Sequence, residues 1–573
     1  MVISRRLVVL IAIVALFVGL LGTGVVSAQR LARENTFYIA GHQWGPPTSF
    51  NPVGRGSVSW PINNKLYIYE TLYAFNLVTG ELDPILSEKQ EWVEDDMVYR
   101  VTLFEGTRWQ DGEPLTAEDV YYTLDLGRRY PVSYAAWWNY VDDVRVVDDR
   151  TIDVVLDPEK PHRTMIVQDL GTIRILPKHI WQAIEDEGQS PQDVANMEPV
   201  GSGPYKVLNY NPQQITLVRD DNYWGQKYFG TPAPDYLAHP IFKSNDAGNL
   251  ALERGQIDFS QQFVPEIWKM WEDKGLPVGT WYDDEPYYMP GSIPSLFINV
   301  HRPALDNVLV RRAIAYAIDY AKIAETAMSR YSIPARSSMI IPYSVPEQQY
   351  FSEADAQKYG WEYDPAKAVD ILENELGATK GNDGIYVLPD GTRLGPWTVT
   401  CPYGWTDWMT SLEVVAASAR AVGIDIRTEF PDAPVWTDHL QAGDFDLTMN
   451  TPAGGQGPAL PWTRFRDVLD DRDIPPLGQT AYRNWNRFSH PDVAGLLDKA
   501  AFTSDEAALT EIYQALDRIV MENIPVIALE YRPWEFWEFN ETYWTGFPTS
   551  ENPTAPPQHN LAGVRLLYVI KKK

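Results

Sequence analysis

Hydrophobic and polar positions follow two periods along the chain, one typical of strands and one typical of helices. Short runs rich in β-branched and aromatic residues predict strands at residues 36–40, 206–210 and 215–219 and a hairpin across 90–104. Apolar residues at helical spacing predict helices at residues 66–75, 313–318 and 509–519. Thr116, with the carboxylate of Asp119 three residues later, has the pattern of a helix N-cap.

The clearest unit is a strand, a helix and a second strand. Residues 398–401 are rich in β-formers, apolar residues between 409 and 419 share one helical face, and residues 424–430 form the second predicted strand. Gly423 is placed to cap the C-terminal end of the helix. A helix that connects two neighbouring strands makes them parallel, so this unit predicts an α/β fold.

The loop after the first strand of this unit is rich in aromatic rings. Ligands of parallel sheets bind beyond the carboxyl ends of the strands, where Tyr403 and Trp405 fall. Asp407 either complements the positive end of the helix dipole or accepts a ligand hydroxyl. A further strand at 445–449 leads into a loop of small residues that begins at Asn450. We expect both loops to line a ligand cleft.

Size and charge narrow the class of protein. The chain has 573 residues, about four times the usual single-domain length, so several domains or two large lobes are expected. Its 48 Lys and Arg residues against 77 Asp and Glu residues give a formal net charge of -29. Such a charge repels phosphate backbones and anionic lipid headgroups, so nucleic acid is not expected as a partner.

The N-terminus has the layout of an export signal. Arg5 and Arg6 precede an apolar or small run at residues 7–26, and the following Ser27 and Ala28 suit cleavage after Ala28. Residues 1–28 are therefore predicted to be a signal peptide, which places the mature chain in the periplasm or at the cell surface. An apolar run of about 20 residues can also span a bilayer, so an uncleaved N-terminal anchor is the alternative.

The motifs of common catalytic and metal sites are absent from the sequence. No histidine begins an H-E-x-x-H pattern, and neither a G-x-x-x-x-G-K-[ST] phosphate loop nor a G-x-S-x-G elbow occurs. Cys401 is the only cysteine, so it forms no intramolecular disulfide, and its position at a strand end favours a small buried side chain. No cofactor is predicted. A pair of catalytic carboxylates, as in a glycosidase, remains as an alternative, because 77 acidic residues make close pairs of carboxylates unavoidable.

Four stretches carry a family resemblance. They are YETLY at 69–73, RWQDGEPLTAEDV at 108–120, VGSGPYKV at 200–207 and VRRAIAYAID at 310–319. In this order they resemble the extracytoplasmic solute-binding proteins of ABC importers, family 5, which include dipeptide, oligopeptide, nickel and oligosaccharide binders.

The resemblance implies a two-lobed periplasmic-binding-protein fold, class II and of the large type with an extra inserted domain, whose hinge closes on the ligand. The implied division is lobe 1 in residues 29–75, 200–298 and 528–573, the inserted subdomain in 76–199, and lobe 2 in 299–527. The hinge crossings would lie near Asn299 and Ile527. The resemblance also implies a monomer that docks onto the permease subunits of an ABC transporter in the membrane.

One departure from the family pattern bears on the ligand. Peptide binders that this chain resembles usually place an aspartate shortly after the strand equivalent to residues 445–449, where it pairs with the peptide's α-ammonium group. This chain has no acidic residue between Asp446 and Asp467. Burying an ammonium group without a counter-charge is costly, which disfavours free peptides unless another acidic residue of the cleft compensates.

The loops offer indoles, phenols and amides, which suit the apolar C–H face and the hydroxyl rim of a sugar. The candidate ligand-binding residues are Gln43, Trp44, Trp60, Asn63, Trp138, Tyr403, Trp405, Asp407, Trp408, Asn450 and Trp462. The stretches GHQWGPPT at 41–48 and GWTDWM at 404–409 look like the branch of the family that binds β-linked oligosaccharides such as cellobiose.

The sequence therefore predicts a non-enzymatic, exported receptor of an ABC transporter that captures a small oligosaccharide, in particular β-linked glucose units. An oligopeptide receptor of the same fold is one alternative. A secreted carbohydrate-active enzyme is the other.

Overall fold

The computed structural model describes residues 31–41, 46–54, 66–242, 244–452, 457, 459–533, 536–557 and 561–573. In chain order its strands are β1 (Thr36–Ala40), β2 (Tyr73–Phe75), β3 (Leu82–Pro84), β4 (Ser87–Val93), β5 (Val98–Leu103), β6 (Val141–Asp148), β7 (Thr151–Leu156), β8 (Tyr205–Asn211), β9 (Gln214–Arg219), β10 (Tyr236–Pro240), β11 (Phe259–Ser260), β12 (Val278–Gly279), β13 (Ser295–Ile298), β14 (Thr379–Lys380), β15 (Tyr386–Val387), β16 (Trp397–Thr400), β17 (Ile426–Glu429), β18 (Leu447–Asn450), β19 (Val526–Ala528), β20 (Glu538–Asn540), β21 (Trp544–Thr545) and β22 (Lys571–Lys572). Its α-helices are α1 (Ala117–Arg129), α2 (Arg163–Leu170), α3 (Lys178–Asp186), α4 (Gln226–Phe229), α5 (Asn245–Glu253), α6 (Lys269–Glu272), α7 (Val308–Ala317), α8 (Tyr320–Lys322), α9 (Glu353–Tyr359), α10 (Pro365–Asp370), α11 (Thr406–Ala421), α12 (Ala433–Ala442), α13 (Leu460–Leu469), α14 (Val493–Phe502), α15 (Glu506–Asn523) and α16 (Leu566–Val569).

The first lobe is built on a seven-stranded mixed sheet in the order β12-β20-β11-β1-β10-β9-β8. At its centre β1 runs parallel to both β10 and β11. Phe37 and Leu217 are fully buried, and Phe259 nearly so, in the core beneath this sheet. The predicted strand at 36–40 and the predicted pair at 206–210 and 215–219 are confirmed as β1, β8 and β9.

The second lobe is built on a five-stranded sheet in the order β17-β16-β18-β13-β19. Here β16 runs parallel to β17 and to β18, and α11 connects β16 to β17. Leu412, Val415 and Ala419 bury one face of α11 against this sheet, and Gly423, with φ of +90°, ends the helical segment. The predicted strand-helix-strand unit is confirmed, and its parallel strands point the loop after β16 toward one edge of the sheet.

A third, smaller sheet in the order β4-β5-β7-β6 has its own hydrophobic core. The predicted hairpin is β4 and β5, and the predicted N-cap is confirmed at the start of α1. The backbone N–H of Thr116 donates to the Asp119 carboxylate at 2.8 Å. None of the described helices is long and apolar enough to cross a membrane.

Two antiparallel segments connect the first and second lobes. Ser292 and Arg532 exchange backbone hydrogen bonds of 3.0 and 3.1 Å, which joins the two crossings side by side. The crossings predicted near Asn299 and Ile527 fall in the second sheet, since Asn299 directly follows β13 and Ile527 lies within β19. The hinge pairing of this structure is therefore nearer to Ser292 and Arg532.

The predicted helix at 66–75 is wrong. This segment forms a turn and then β2, because its backbone bonds to another part of the chain. The carbonyl oxygens of Tyr67 and Ile68 accept hydrogen bonds from the backbone N–H groups of Tyr205 and Gly203 at 2.9 and 2.8 Å. A Cβ on Gly203 would lie 2.5 Å from the Tyr67 oxygen, so this glycine is required for the close approach. The family signature at 200–207 is therefore a packing motif in this chain.

Candidate functional site

A cavity of about 740 Å³ lies between the first and second lobes, beside the paired crossings. The first lobe contributes the segment after β11 and the N-terminal half of α5, and the second lobe contributes the loop before α11. This volume falls within the range of about 300 to 1,000 Å³ that is usual for small-molecule sites. The cavity is therefore the candidate binding site of this protein.

The wall from the second lobe is aromatic. Trp405 is 44% exposed and Trp408 is 6% exposed, and their rings meet edge to face with centroids 4.8 Å apart. Trp436 packs behind both rings, and its indole N–H donates to Thr448 Oγ1 at 3.0 Å. Gly404 has φ of +88°, the left-handed conformation that favours glycine, in the turn before Trp405. An indole face is thus held firmly at the mouth of the cavity.

The wall from the first lobe is polar and uncharged over much of its area. Gln261 and Gln262 follow directly after β11, and Asn249 lies on the facing helix α5. The Asn249 amide donates to the Phe263 carbonyl at 3.1 Å, which ties α5 to this segment. Amide groups carry both donors and acceptors, so this wall suits a ligand rich in hydroxyl or amide groups.

An ion pair connects the second lobe to one of the crossings at the floor of the cavity. Arg532 Nε donates to Asp407 Oδ2 at 2.9 Å, and the guanidinium group lies 4.8 Å from the ring centre of Phe536. Glu530, two residues before Arg532, is buried, and burial together with the charge of Asp407 raises the pKa of Glu530 well above its usual value. The positive charge of Arg532 is thus neutralised within the protein by the carboxylate of Asp407.

Cys401 lies at the end of β16, close to this floor. Its side chain is fully buried, and burial raises the pKa of the thiol to about 12. The prediction of a small buried side chain is confirmed, because a thiol with this pKa is protonated at neutral pH and unreactive.

The sequence-predicted site residues divide into four groups. Trp405, Asp407 and Trp408 line the cavity. Tyr403 is adjacent but points into solvent, with 73% of its surface exposed, and Asn450 pairs with Ser295 in the sheet beside the lining residue Thr451. The candidates that lie outside the described residues are Gln43, Trp44, Trp60 and Asn63.

Trp138 and Trp462 are not among the residues that line the cavity, so the structure does not bring them together with the other candidates. The indole N–H of Trp138 donates to the Leu124 carbonyl at 2.9 Å, and Arg128 covers its ring at 3.7 Å. Trp462 is buried and donates to the Leu497 carbonyl at 2.9 Å. Both indoles already have protein partners for the faces and N–H groups that a sugar would need.

Trp462 takes part in a second contact between lobes, which we name the α2–α13 contact. Its ring meets His162 edge to face with centroids 4.2 Å apart, and the Gln168 side-chain oxygen accepts from the Ala459 backbone N–H at 3.2 Å. Met165 of α2 packs into the core of the second lobe. Burial lowers the pKa of His162 to about 3, so its ring is neutral within this contact.

Sequence reasoning missed Asn249, Gln262, Arg532 and Phe536. A signal for Gln262 did exist, because Gln261 and Gln262 follow a short apolar run, and the rule that ligands bind beyond strand ends applies to them as it does to Trp405. Arg532 and Phe536 are brought to the cavity by the second crossing, far along the chain from the other lining residues. Across the described residues, no group of three His, Cys, Asp or Glu side chains is arranged to hold a metal ion.

Two α/β lobes, joined by paired crossings and enclosing a cavity of ligand size, define a hinged receptor for a small solute. The model of the bacterial extracellular solute-binding proteins, family 5, matches residues 81–467, and the chain belongs to this family. The periplasmic-binding-protein fold predicted from the sequence is confirmed by the structural neighbours of this chain.

Two relatives, one of them seen in two crystal structures, illustrate the range of this family. A crystal structure of the periplasmic oligopeptide-binding protein of an oligopeptide ABC transporter from Thermotoga maritima superimposes with a TM-score of 0.87 and 33% identity, over 95% of this chain and 100% of that chain. A mannohexaose-bound crystal structure of the same Thermotoga maritima protein gives a TM-score of 0.81 and 32% identity, over 95% of this chain and 99% of that chain. The dipeptide-binding protein of Escherichia coli (strain K12) is 24% identical over 85% of this chain and 88% of its own length.

Membership of this family settles the coarse function. Family 5 proteins are extracytoplasmic transport receptors that work with the membrane permeases of ABC importers, so this chain is a solute-binding receptor and not an enzyme. The alternative of a secreted carbohydrate-active enzyme is thereby removed.

Proposed function

We propose that this receptor captures a small oligosaccharide, in particular β-linked glucose units such as cellobiose, and delivers it to its ABC importer. The observation that carries the proposal is the pairing of the two cavity walls. Trp405 offers an exposed indole face on one side, and Gln262 and Asn249 offer amides on the other. A pyranose ring has an apolar C–H face and a rim of hydroxyl groups, so it satisfies both walls at once.

The ion pair at the floor of the cavity also favours an uncharged ligand. Arg532 and Asp407 neutralise each other through their ion pair, so neither is free to pair with a charged ligand unless the contact breaks. A neutral sugar leaves this pair intact. The mannohexaose-bound relative from Thermotoga maritima supports the proposal by analogy, since its sequence is 32% identical to this chain.

An oligopeptide receptor of the same fold is the second candidate. The exposed carboxylate of Asp246 lines the cavity and forms no ion pair with another described residue, so it is available to a peptide ammonium group. The Escherichia coli relative is named for dipeptides, which favours this candidate by analogy. Asp246 would then replace the aspartate that is missing between Asp446 and Asp467.

The first experiment is thermal unfolding of the mature chain against cello-, xylo- and manno-oligosaccharides and against di- to pentapeptides. A ligand at about 100 times its dissociation constant stabilises the folded state by about 2.7 kcal/mol. We expect an upward shift with one β-linked sugar series and none with peptides. A shift with peptides alone would replace the sugar proposal by the second candidate.

We further propose that residues 1–28, which lie outside the described residues, form the export signal and are cleaved after Ala28, in preference to acting as an anchor. N-terminal sequencing of the exported chain tests this point. We also propose that the mature receptor is a monomer with the three-part domain division set out above, in which the boundaries between the two lobes move to the pairing of Ser292 with Arg532. Sedimentation of the purified chain with and without ligand tests its oligomeric state.

A further inference from the structure

The side chain of Gln262 is buried and yet has no hydrogen-bond partner. It is 3% exposed, and neither its amide oxygen nor its amide nitrogen bonds to any other described residue. Buried polar groups in native proteins are nearly always paired, and leaving one unpaired destabilises the folded state. An unpaired donor and acceptor on one buried amide therefore call for a partner that the protein alone does not supply.

The position of Gln262 shows where such a partner would lie. Gln262 lines the inter-lobe cavity next to Gln261, opposite the indole wall at Trp405. Its backbone is fixed at the end of β11, where its N–H donates to Ser260 Oγ at 3.2 Å. Gln262 is therefore part of the cavity wall, where the sheet holds its backbone and its unpaired amide packs directly behind the wall surface, against Gly248.

A glycine on α5 makes room for this amide. A Cβ on Gly248 would lie only 1.8 Å from the Gln262 side-chain oxygen, so no larger residue fits at position 248 while the amide keeps its place. Gly248 costs helix stability in the middle of α5, since glycine is about 1 kcal/mol less favourable there than alanine. Asn249, the next residue, also presents a side-chain oxygen without a partner among the described residues.

We propose that Gln262 determines ligand specificity by binding two adjacent polar groups of the ligand, one through its amide N–H and one through its amide oxygen, with Asn249 accepting a third hydrogen bond. This inference rests on the proposed function, in which the adjacent groups are vicinal hydroxyls of a pyranose ring. Buried amides of this kind reject an analogue that lacks one hydroxyl, because the protein group is then left unpaired.

The test compares Gln262→Met with Gln213→Met, a matched change at an exposed hairpin turn of the same lobe. Calorimetric titration with cellobiose and with mannohexaose should give a dissociation constant at least tenfold higher for Gln262→Met and an unchanged one for Gln213→Met. The dissociation constant of the wild type should rise by a similar factor when one hydroxyl group is removed from the disaccharide that it binds. The affinity of Gln262→Met should be the same for the deoxygenated disaccharide as for the complete one, because the side chain that binds the hydroxyl is already missing. An affinity within twofold of wild type in Gln262→Met would overturn the inference.

The thermal midpoint of the unliganded protein gives an independent readout. Gln262→Met removes an unpaired buried amide, so its midpoint should be equal to or higher than that of the wild type. A midpoint lowered by several degrees would mean that the amide is already paired within the protein, and the inference would be wrong. Gln262→Glu keeps the shape and the acceptor but loses the amide donor, and it should also bind more weakly.

Failure of the proposed function is separable from failure of this inference. If the wild type binds peptides and no sugar, the proposed function is wrong. Gln262→Met must then weaken peptide binding by the same tenfold factor, because a backbone amide offers the same adjacent donor and acceptor. An unchanged peptide affinity in that case would overturn the inference as well.

Discussion

Replacing Trp405 by alanine tests whether the indole wall holds the ligand. Trp405 keeps 44% of its surface exposed in the unliganded protein, which is roughly 110 Å² of a side chain of about 250 Å². A sugar ring that stacks on one face covers about half of this area, or roughly 55 Å². At about 25 cal/mol per Å², the lost contact is worth about 1.4 kcal/mol, which is a tenfold change in dissociation constant.

The assay is isothermal titration calorimetry of Trp405→Ala with the sugar that stabilises the wild type best. We expect a dissociation constant about tenfold higher, and about twofold to threefold higher for Trp405→Phe, which keeps a smaller ring face. Tyr482→Ala is the control, because Tyr482 is 77% exposed on the same lobe and does not line the cavity.

The result that would refute the reasoning is a Trp405→Ala variant that binds the sugar within twofold of the wild type. Its thermal midpoint and far-ultraviolet spectrum must also match the wild type, since Trp405 packs against Trp408 and Trp436. An unchanged affinity would place the ligand elsewhere in the cavity, against the amides of the first lobe alone.

Three further predictions follow from buried groups. The pKa of His162 is lowered to about 3 in the folded state, so the unfolded state gains a proton first as the pH falls below about 6.5, and acid should destabilise the wild type more than His162→Phe between pH 7 and 4. Asp407→Asn removes the partner of Arg532 and should lower the free energy of unfolding by about 1 to 3 kcal/mol in urea titrations. Cys401 should resist a maleimide reagent in the native state and react once in guanidinium chloride, because its thiol is buried and protonated.

The change at Asp407 has a matched control, and the predictions for His162 and Cys401 each have a contradicting result. Asp246→Asn alters an exposed carboxylate and should leave the free energy of unfolding unchanged. Parallel loss of stability in wild type and His162→Phe would show that other groups dominate the acid response, such as Asp425, whose pKa is lowered by the hydrogen bond from Arg427. Rapid labelling of native Cys401 would mean that the end of β16 opens readily.

Local patterns were sufficient to predict the parts of the fold that are stabilised locally. The unit β16-α11-β17 was predicted because its strands, helix face and glycine cap lie within one short stretch, and Trp405 followed from its place at a strand end. The segment at 66–75 was mispredicted because its backbone partners, Gly203 and Tyr205, lie far along the chain. Helical periodicity does not reveal such partners.

The candidate site could be predicted only in part for the same reason. Trp462 was assigned to the ligand from its loop-like setting, but His162 of a different sheet region covers it. Gln262 and Arg532 reach the cavity from separate lobes and crossings, so only the assembled fold brings them together. The residue types in the sequence indicate which side chains suit a sugar. Tertiary packing determines which of those side chains line the cavity.

The α2–α13 contact has a consequence for how such a receptor can be adjusted. Because none of its residues lines the cavity, its energy adds to the contact between the lobes without depending on which ligand is bound. The apparent dissociation constant of a hinged receptor is its intrinsic value divided by the fraction of molecules able to bind. Substitutions at His162 or Trp462 would therefore rescale the affinities for all ligands by one common factor and leave their order of preference unchanged.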